Sequence, residues 1–191
     1  MRRFIYIDGG MKSAPPTPSL YQTAYLNIGD LKNNTPQVNG WWRWCYNDTN
    51  PLTGITNSSG ANTGWGLSVD TTPLGSSSGI VVANDAGIPS GVTKYEQRNS
   101  TNVVYTIGQL NDSYTYNFSF WCSITLAYEA AGTNFTIGST TVSINPHKNY
   151  TGNWVTISNV KSSSNDISFT LSKMTGASYW YLAAVKIEEY R

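Results

Sequence analysis

His147 is the only histidine in the chain, and Cys45 and Cys122 are the only cysteines. Nucleophilic catalysis needs a base held beside the nucleophile, so these three residues bound how much of that chemistry is open. His147 stands in the turn-like segment Asn145-Pro-His-Lys148, which reads as an exposed loop histidine and not as a catalytic base. Ile28-Gly-Asp-Leu31 lacks the serine of a hydrolase nucleophile block. One histidine and two separated cysteines leave zinc without a ligand set. Glycoside hydrolysis would need two carboxylates roughly 5–9.5 Å apart across a cleft. The eleven acids are Asp8, Asp30, Asp48, Asp70, Asp85, Asp112, Asp166, Glu96, Glu129, Glu188 and Glu189. Most flank turns, where Asp bonds nearby backbone, and no pair declares itself. Asn47-Asp-Thr-Asn50 offers oxygen ligands but lacks the spacing of a calcium loop, and reads as an Asx turn. The expectation is a chain with no catalytic residues, no cofactor and no metal.

Binding chemistry is better represented. The chain has seven Trp, thirteen Tyr and five Phe. Flat rings dock the apolar faces of sugars, while Asn, Asp and Gln hydrogen-bond hydroxyls without requiring charge. Trp41, Trp42 and Trp44 straddle both faces of a short strand, so at least one should face outward. Trp121 falls on the polar side of a long alternating segment, where it either meets a ligand or packs beneath a loop or a neighbouring subunit. Trp41, Trp42 and Trp121 are accordingly the candidate glycan or interface aromatics.

The elements that position these residues are strands. From Tyr114 to Leu126, Tyr, Tyr, Phe, Phe, Cys, Ile and Leu occupy the even positions, and Thr, Asn, Ser, Trp, Ser and Thr the odd ones. Alternate strand side chains point to opposite faces, so this period of two predicts a strand with one face in a core. Ile167, Phe169 and Leu171 alternate with Ser168, Thr170 and Ser172 in the same way. Further strands are expected at 25–29, 41–46, 65–69, 80–83, 102–107, 134–144, 154–160 and 180–188, separated by turn residues such as Gly108, Asn111-Asp112 and Asn165-Asp166. No segment has a 3.6-residue apolar period beyond one possible turn at 128–131.

Charged residues make up only 12% of the chain, and the net charge is +1. The surface must therefore be polar but largely uncharged, with no basic field to draw nucleic acid. No apolar run reaches the roughly 18 residues of a membrane helix. The apolar stretch after Arg2-Arg3 is too short for a signal-peptide core, so secretion by that route is not expected. Asn-x-Ser/Thr sequons at Asn33, Asn47, Asn57, Asn99, Asn111, Asn117, Asn134 and Asn149 read as a product of composition. Cys45 and Cys122 read as two reduced thiols, Cys122 being on the core side of its strand.

Residues 1–24 read as an extended arm and linker, because Phe4-Ile-Tyr-Ile7 is followed by Gly9-Gly10 and then by Pro15, Pro16 and Pro18. Residues 25–191 read as one domain. Phe4, Ile5, Tyr6 and Ile7 could add a strand to a neighbour's sheet edge, which makes them the expected assembly arm.

Several local sequences resemble jelly-roll modules of carbohydrate-binding proteins, of polysaccharide-processing enzymes and of bacteriophage appendages. Tyr25-Leu-Asn-Ile-Gly29 resembles an opening strand followed by the loop residues Trp41 and Trp42, and Trp65-Gly-Leu-Ser-Val69 the next strand. Ile107-Gly-Gln-Leu110 with Tyr114-Thr-Tyr-Asn-Phe-Ser-Phe120 is similar to the family's leucine, turn, tyrosine, aromatic-strand pattern, and Tyr181 to Ile187 looks like its closing strand. The likeness implies an all-β, antiparallel jelly-roll β-sandwich. With no export signal and a proline-rich leader, it further implies a non-enzymatic structural or decoration component of a bacteriophage virion. That component would be held by its arm and by self-association to other virion proteins, with cell-surface polysaccharide as a further partner. The alternative is a carbohydrate-binding protein that recognises glycans through exposed tryptophans.

Overall fold

The structure is a computed structural model that describes residues 17–29, 35–45, 48, 50–76, 87–124, 130–147 and 153–191. Its strands are β1 (Leu20–Gly29), β2 (Trp42–Cys45), β3 (Leu52–Thr53), β4 (Gly66–Val69), β5 (Leu74–Ser76), β6 (Glu96–Asn99) and β7 (Val103–Gly108). They continue with β8 (Thr115–Trp121), β9 (Thr133–Ile137), β10 (Thr140–Ile144), β11 (Val155–Val160), β12 (Ile167–Lys173), β13 (Trp180–Leu182) and β14 (Ala184–Tyr190). Among the described residues a single short helix, α1 (Ser90–Thr93), follows Pro89. The all-β expectation holds.

Three sheets form: a five-stranded one in the order β11-β8-β14-β1-β2, a six-stranded one in the order β10-β9-β12-β7-β4-β3, and a three-stranded one in the order β13-β6-β5. Within the sheets the named strands pair antiparallel except β1 and β2, which run parallel with Leu26 opposite Trp42 and Ile28 opposite Trp44. That pair departs from a wholly antiparallel sheet. The two large sheets face each other across one aromatic core. Phe120 of β8 stacks on Phe135 of β9 with ring centroids 4.5 Å apart, and it meets Phe169 of β12 at 5.1 Å. Tyr105 stacks on Phe169 at 5.2 Å and lies nearly perpendicular to Trp44 at 5.9 Å. Rings at such spacings each contribute about 0.5–1.5 kcal/mol beyond their buried area.

The alternation of β8 is as expected: Tyr116, Phe118 and Phe120 are fully buried on the core side. The strand ends at Trp121, earlier than its sequence pattern, and residues 125–129 lie outside the described residues. The run expected as one strand over 134–144 is a hairpin of β9 and β10 around Gly138, whose φ is +56°. A two-residue connection with Gly at its first position suits the twist of such a hairpin. Likewise the run over 180–188 divides into β13 and β14, which join different sheets. The strand expected at 80–83 lies outside the described residues.

β1 begins at Leu20, ahead of the expected domain boundary at Tyr25, and the Ser19 N–H donates to the Arg191 carbonyl at 2.8 Å. Phe4, Ile5, Tyr6 and Ile7 lie outside the described residues. Cys45 and Cys122 are both buried, and neither is in a disulfide. Among the described residues, no helix is long and apolar enough to cross a membrane.

Candidate ligand-binding cleft

The tryptophans singled out in the sequence are buried or half-buried. Trp121 is fully buried, in a second apolar cluster with Trp41, Ile88, Val92, Ala183 and Ala184. Its side chain does leave the main core, as the alternation required, but residues 87–93 fold over that outward face and close it. Its Nε1–H donates no hydrogen bond among the described residues. Trp41 is buried too, its ring tilted on Tyr25 with centroids 5.0 Å apart. Trp42 is half-buried against the main core, because parallel pairing sets it beside Leu26. The exposure expected of Trp41 and Trp121 is not found, since both rings pack inside the fold.

A cleft of about 400 Å³ opens where the two large sheets part at one side. Four segments line it: the β9–β10 turn with Ser139 and Thr140, β11 with Ile157, Ser158 and Asn159, the β11–β12 turn with Ser163, and the start of β12 with Ser168. Ile157 and Ile167 are buried and make an apolar floor. Ser139, Thr140, Ser158, Asn159, Ser163 and Ser168 are exposed around it.

A bulge in β11 shapes this rim. Ile157 pairs with Phe118 but Val160 with Tyr116, so one extra residue is inserted on the β11 side. Bulges break alternation and re-aim side chains. Ser158 and Asn159 are accordingly both exposed, and Asn159 adopts φ +59°. Its N–H donates to Asn117 Oδ1 at 2.9 Å, which fixes the bulge to β8. On the far side of β11, Ser158 and Asn159 also line a groove of about 350 Å³ with Thr17, Pro18, Thr115, Asn117 and Tyr190.

The turn between β11 and β12 closes the cleft. Ser163 and Asp166 exchange two backbone hydrogen bonds of 3.0 and 3.2 Å, and Ser164 and Asn165 between them both have positive φ. Asp112 braces it, its Oδ1 accepting from Ser162 Oγ at 2.6 Å and from the Asn165 N–H at 3.0 Å. Lys161 Nζ donates to the Ser113 carbonyl at 3.3 Å. Lys161 and Asp166 are the charged residues of the lining, one of each sign. The cleft is therefore close to neutral.

Elsewhere the acids act as struts. Asp48 Oδ2 accepts from the Cys45 N–H at 2.8 Å, and Asp70 Oδ1 from the Val104 N–H at 2.8 Å. Glu189 accepts from Gln22 at 3.0 Å and pairs with Arg191 at 2.7 Å, while Glu188 pairs with Lys186 at 3.1 Å. His147 Nε2 accepts from the Ala131 N–H at 3.4 Å. Burial pushes the Cys122 thiol well up, against a weaker opposing effect of the Thr133 hydroxyl. No group of three or more His, Cys, Asp or Glu suited to a metal occurs among the described residues.

No protein-family model matches the sequence, and no curated protein matches it. Solved structures do. The chain is similar in fold to the ANXUR1 extracellular domain of Arabidopsis thaliana, at a TM-score of 0.54 and 12% identity over 92% of this chain and 50% of that one. It is similar to the ANX2 ectodomain of the same plant, at a TM-score of 0.53 and 15% identity over 92% of this chain and 51% of that one. The plant receptor-like kinase FER is similar at a TM-score of 0.53 and 9% identity, over 87% and 41%.

The likeness is one of fold. The chain spans about half the length of the ectodomains it matches. This overturns the reading as a phage structural or decoration component and its placement in a virion, since the matched folds are those of plant receptor ectodomains. The physical reason lies in what carried that reading: alternating strands and scattered tryptophans belong to any two-layer sandwich.

Sequence reasoning missed the cleft residues. Asn165-Asp166 is visible as a turn, but nothing in the types or spacing of Ser139, Thr140, Ser158, Asn159 and Ser163 marks them as neighbours.

Proposed function

We propose that this chain is a non-catalytic recognition domain that takes a neutral, hydroxyl-bearing ligand in the cleft between the β9–β10 turn and β11. The observation that carries the reading is the lining itself: an apolar floor of Ile157 and Ile167 under an exposed rim of serine, threonine and asparagine. Such a floor takes C–H surface, and such a rim offers donors and acceptors without demanding charge. Its volume of about 400 Å³ is at the small end of ligand sites, which run from roughly 300 to 1,000 Å³. With Lys161 and Asp166 opposed in sign, no net field selects a charged molecule.

The use made of the described acids supports the non-catalytic reading. Asp48, Asp70 and Asp112 are engaged by backbone or side-chain donors, and Glu188 and Glu189 by cations, in structural roles. The fold likeness to plant receptor ectodomains supports a domain presented at the outside of a cell.

The test is binding to a panel of uncharged oligosaccharides by the wild-type chain and by Ser163→Trp, which fills the cleft. Binding that is lost in Ser163→Trp and kept in Trp42→Ala is expected. Binding that survives the filled cleft rejects the site, and chemical conversion of the bound molecule rejects the non-catalytic reading.

A further inference from the structure

Among the described residues, β10 is an open sheet edge without the usual defences. Edge strands expose unpaired backbone groups, and proteins blunt them with charge, proline, a bulge or very short length. Three of the four outer strands of the large sheets are protected in such ways. β11 carries the bulge at Asn159, β3 has only two residues, and β2 carries Arg43, whose guanidinium donates to the Thr35 carbonyl at 2.8 Å. β10, Thr-Thr-Val-Ser-Ile, has no charge, no proline and no register shift. The lack of charge extends well beyond it: no Asp, Glu, Lys or Arg occurs anywhere from Ala130 to Pro146.

The register shows which groups are open. Thr140 pairs with Ile137 across a two-residue turn, Val142 with Phe135 and Ile144 with Thr133. The pair that closes such a turn is hydrogen-bonded, and bonding alternates from there. The backbone N–H and C=O groups of Thr140, Val142 and Ile144 therefore serve β9, and those of Thr141 and Ser143 point away from the sheet. Thr141 and Ser143 are exposed, and no other described segment bonds their backbone.

We infer that β10 pairs with β10 of a second copy of this chain, antiparallel about a two-fold axis through Val142. Thr141 then faces Ser143 of the other copy in a hydrogen-bonded pair, twice over, so every outward backbone group of the two residues is used. Val142 meets Val142 at the axis. A two-fold contact requires a patch that complements itself, and an uncharged strand meets its own copy without repulsion. The side chains continue an existing pattern as well. The outer face of this sheet carries rows of uncharged polar groups, with the Thr106 and Ser168 hydroxyls at 2.8 Å, those of Thr136 and Thr141 at 2.8 Å, and Ser143 Oγ donating to Asn134 Oδ1 at 2.6 Å. Pairing Thr141 with Ser143 across the axis extends those rows into the second copy. The inference rests on the edge alone and does not require the cleft to bind anything.

Five residues a side fall far short of the roughly 20–30 of a standard interface, so the dimer is weak and depends on concentration. The test is sedimentation of the full chain from about 1 μM to about 1 mM. Wild-type mass should rise toward that of a dimer. Thr141→Lys sets like charges near each other across the axis, and Ser143→Pro removes one outward N–H; each should weaken association at least about tenfold. Circular dichroism reports folding, and Thr141→Lys decides the matter if the proline variant unfolds. Val142→Cys should give a disulfide-linked dimer on oxidation, with Cys45 and Cys122 buried out of reach. A wild-type chain that stays monomeric throughout, or variants that associate as wild type does, would overturn the pairing.

Discussion

Trp121 and Ala184 stand opposite each other on β8 and β14, on the side of their sheet that faces away from the main core, and both are fully buried. The outward face of this sheet is thus two surfaces. At the Trp121 end it is a second core closed by residues 87–93; further along, at Asn117, Glu188 and Thr23, it is half-exposed and polar. Replacing Trp121 by Ala should cost about 3–5 kcal/mol, as for other buried aromatic truncations. Urea denaturation measures it, and an unchanged midpoint would contradict the second core.

This pair also shows what could be read in advance and what could not. The period of two in β8 placed Tyr116, Phe118 and Phe120 inside and Trp121 on the other face, because strand geometry leaves no choice. What covers that other face is decided by residues some thirty positions earlier in the chain, which have no periodicity of their own. Ile88 and Val92 sit among Gly, Pro and Ser, where isolated apolar residues give no signal. The cleft was hidden for a related reason. Its rim is made of the commonest residue types in this chain, and only the tertiary fold brings 138–140 beside 157–163. The parallel pairing of β1 with β2, which turned Trp42 and Trp44 to the main core, was equally beyond a local reading.

Tyr105 and Gln97 form a buried link between β7 and β6. The Tyr105 hydroxyl donates to Gln97 Oε1 at 2.7 Å, and Gln97 Nε2 donates to the Gly29 carbonyl at 3.1 Å. Tyr105→Phe leaves that amide oxygen without its donor at a dry site, so the variant should lose about 1–3 kcal/mol in denaturant titration at neutral pH.

The same tyrosine gives stability a pH dependence of definite sign. Burial, helped by the negative charge of Asp70, holds the Tyr105 hydroxyl well above its ordinary value of 10.0. Tyr116 is raised as well, chiefly by burial. The folded chain therefore keeps these protons when the unfolded chain loses them. Their contribution is complete below the unfolded value and is lost as pH rises past it toward the folded values. Unfolding free energy should fall steadily above about pH 10, and less steeply in Tyr105→Phe. A flat profile there would contradict the burial of these hydroxyls.

Asn159 allows backbone and side chain to be separated. At φ +59° an alanine is strained where a glycine is not. Asn159→Ala should lose about 1–2 kcal/mol, while Asn159→Gly stays close to wild type in thermal denaturation. Both remove the amide from the cleft rim, so both should weaken ligand binding, whatever their stability.

The central claim is that recognition takes place in the cleft beside the β11 bulge. Backbone amide shift mapping by nuclear magnetic resonance, during titration with the uncharged oligosaccharide that binds best, tests it most directly. The account predicts perturbations concentrated at 137–140, 157–163 and 166–168, and little change around Trp42 and Trp121. Perturbations centred on those tryptophans, or no saturable perturbation with any uncharged oligosaccharide, would contradict it.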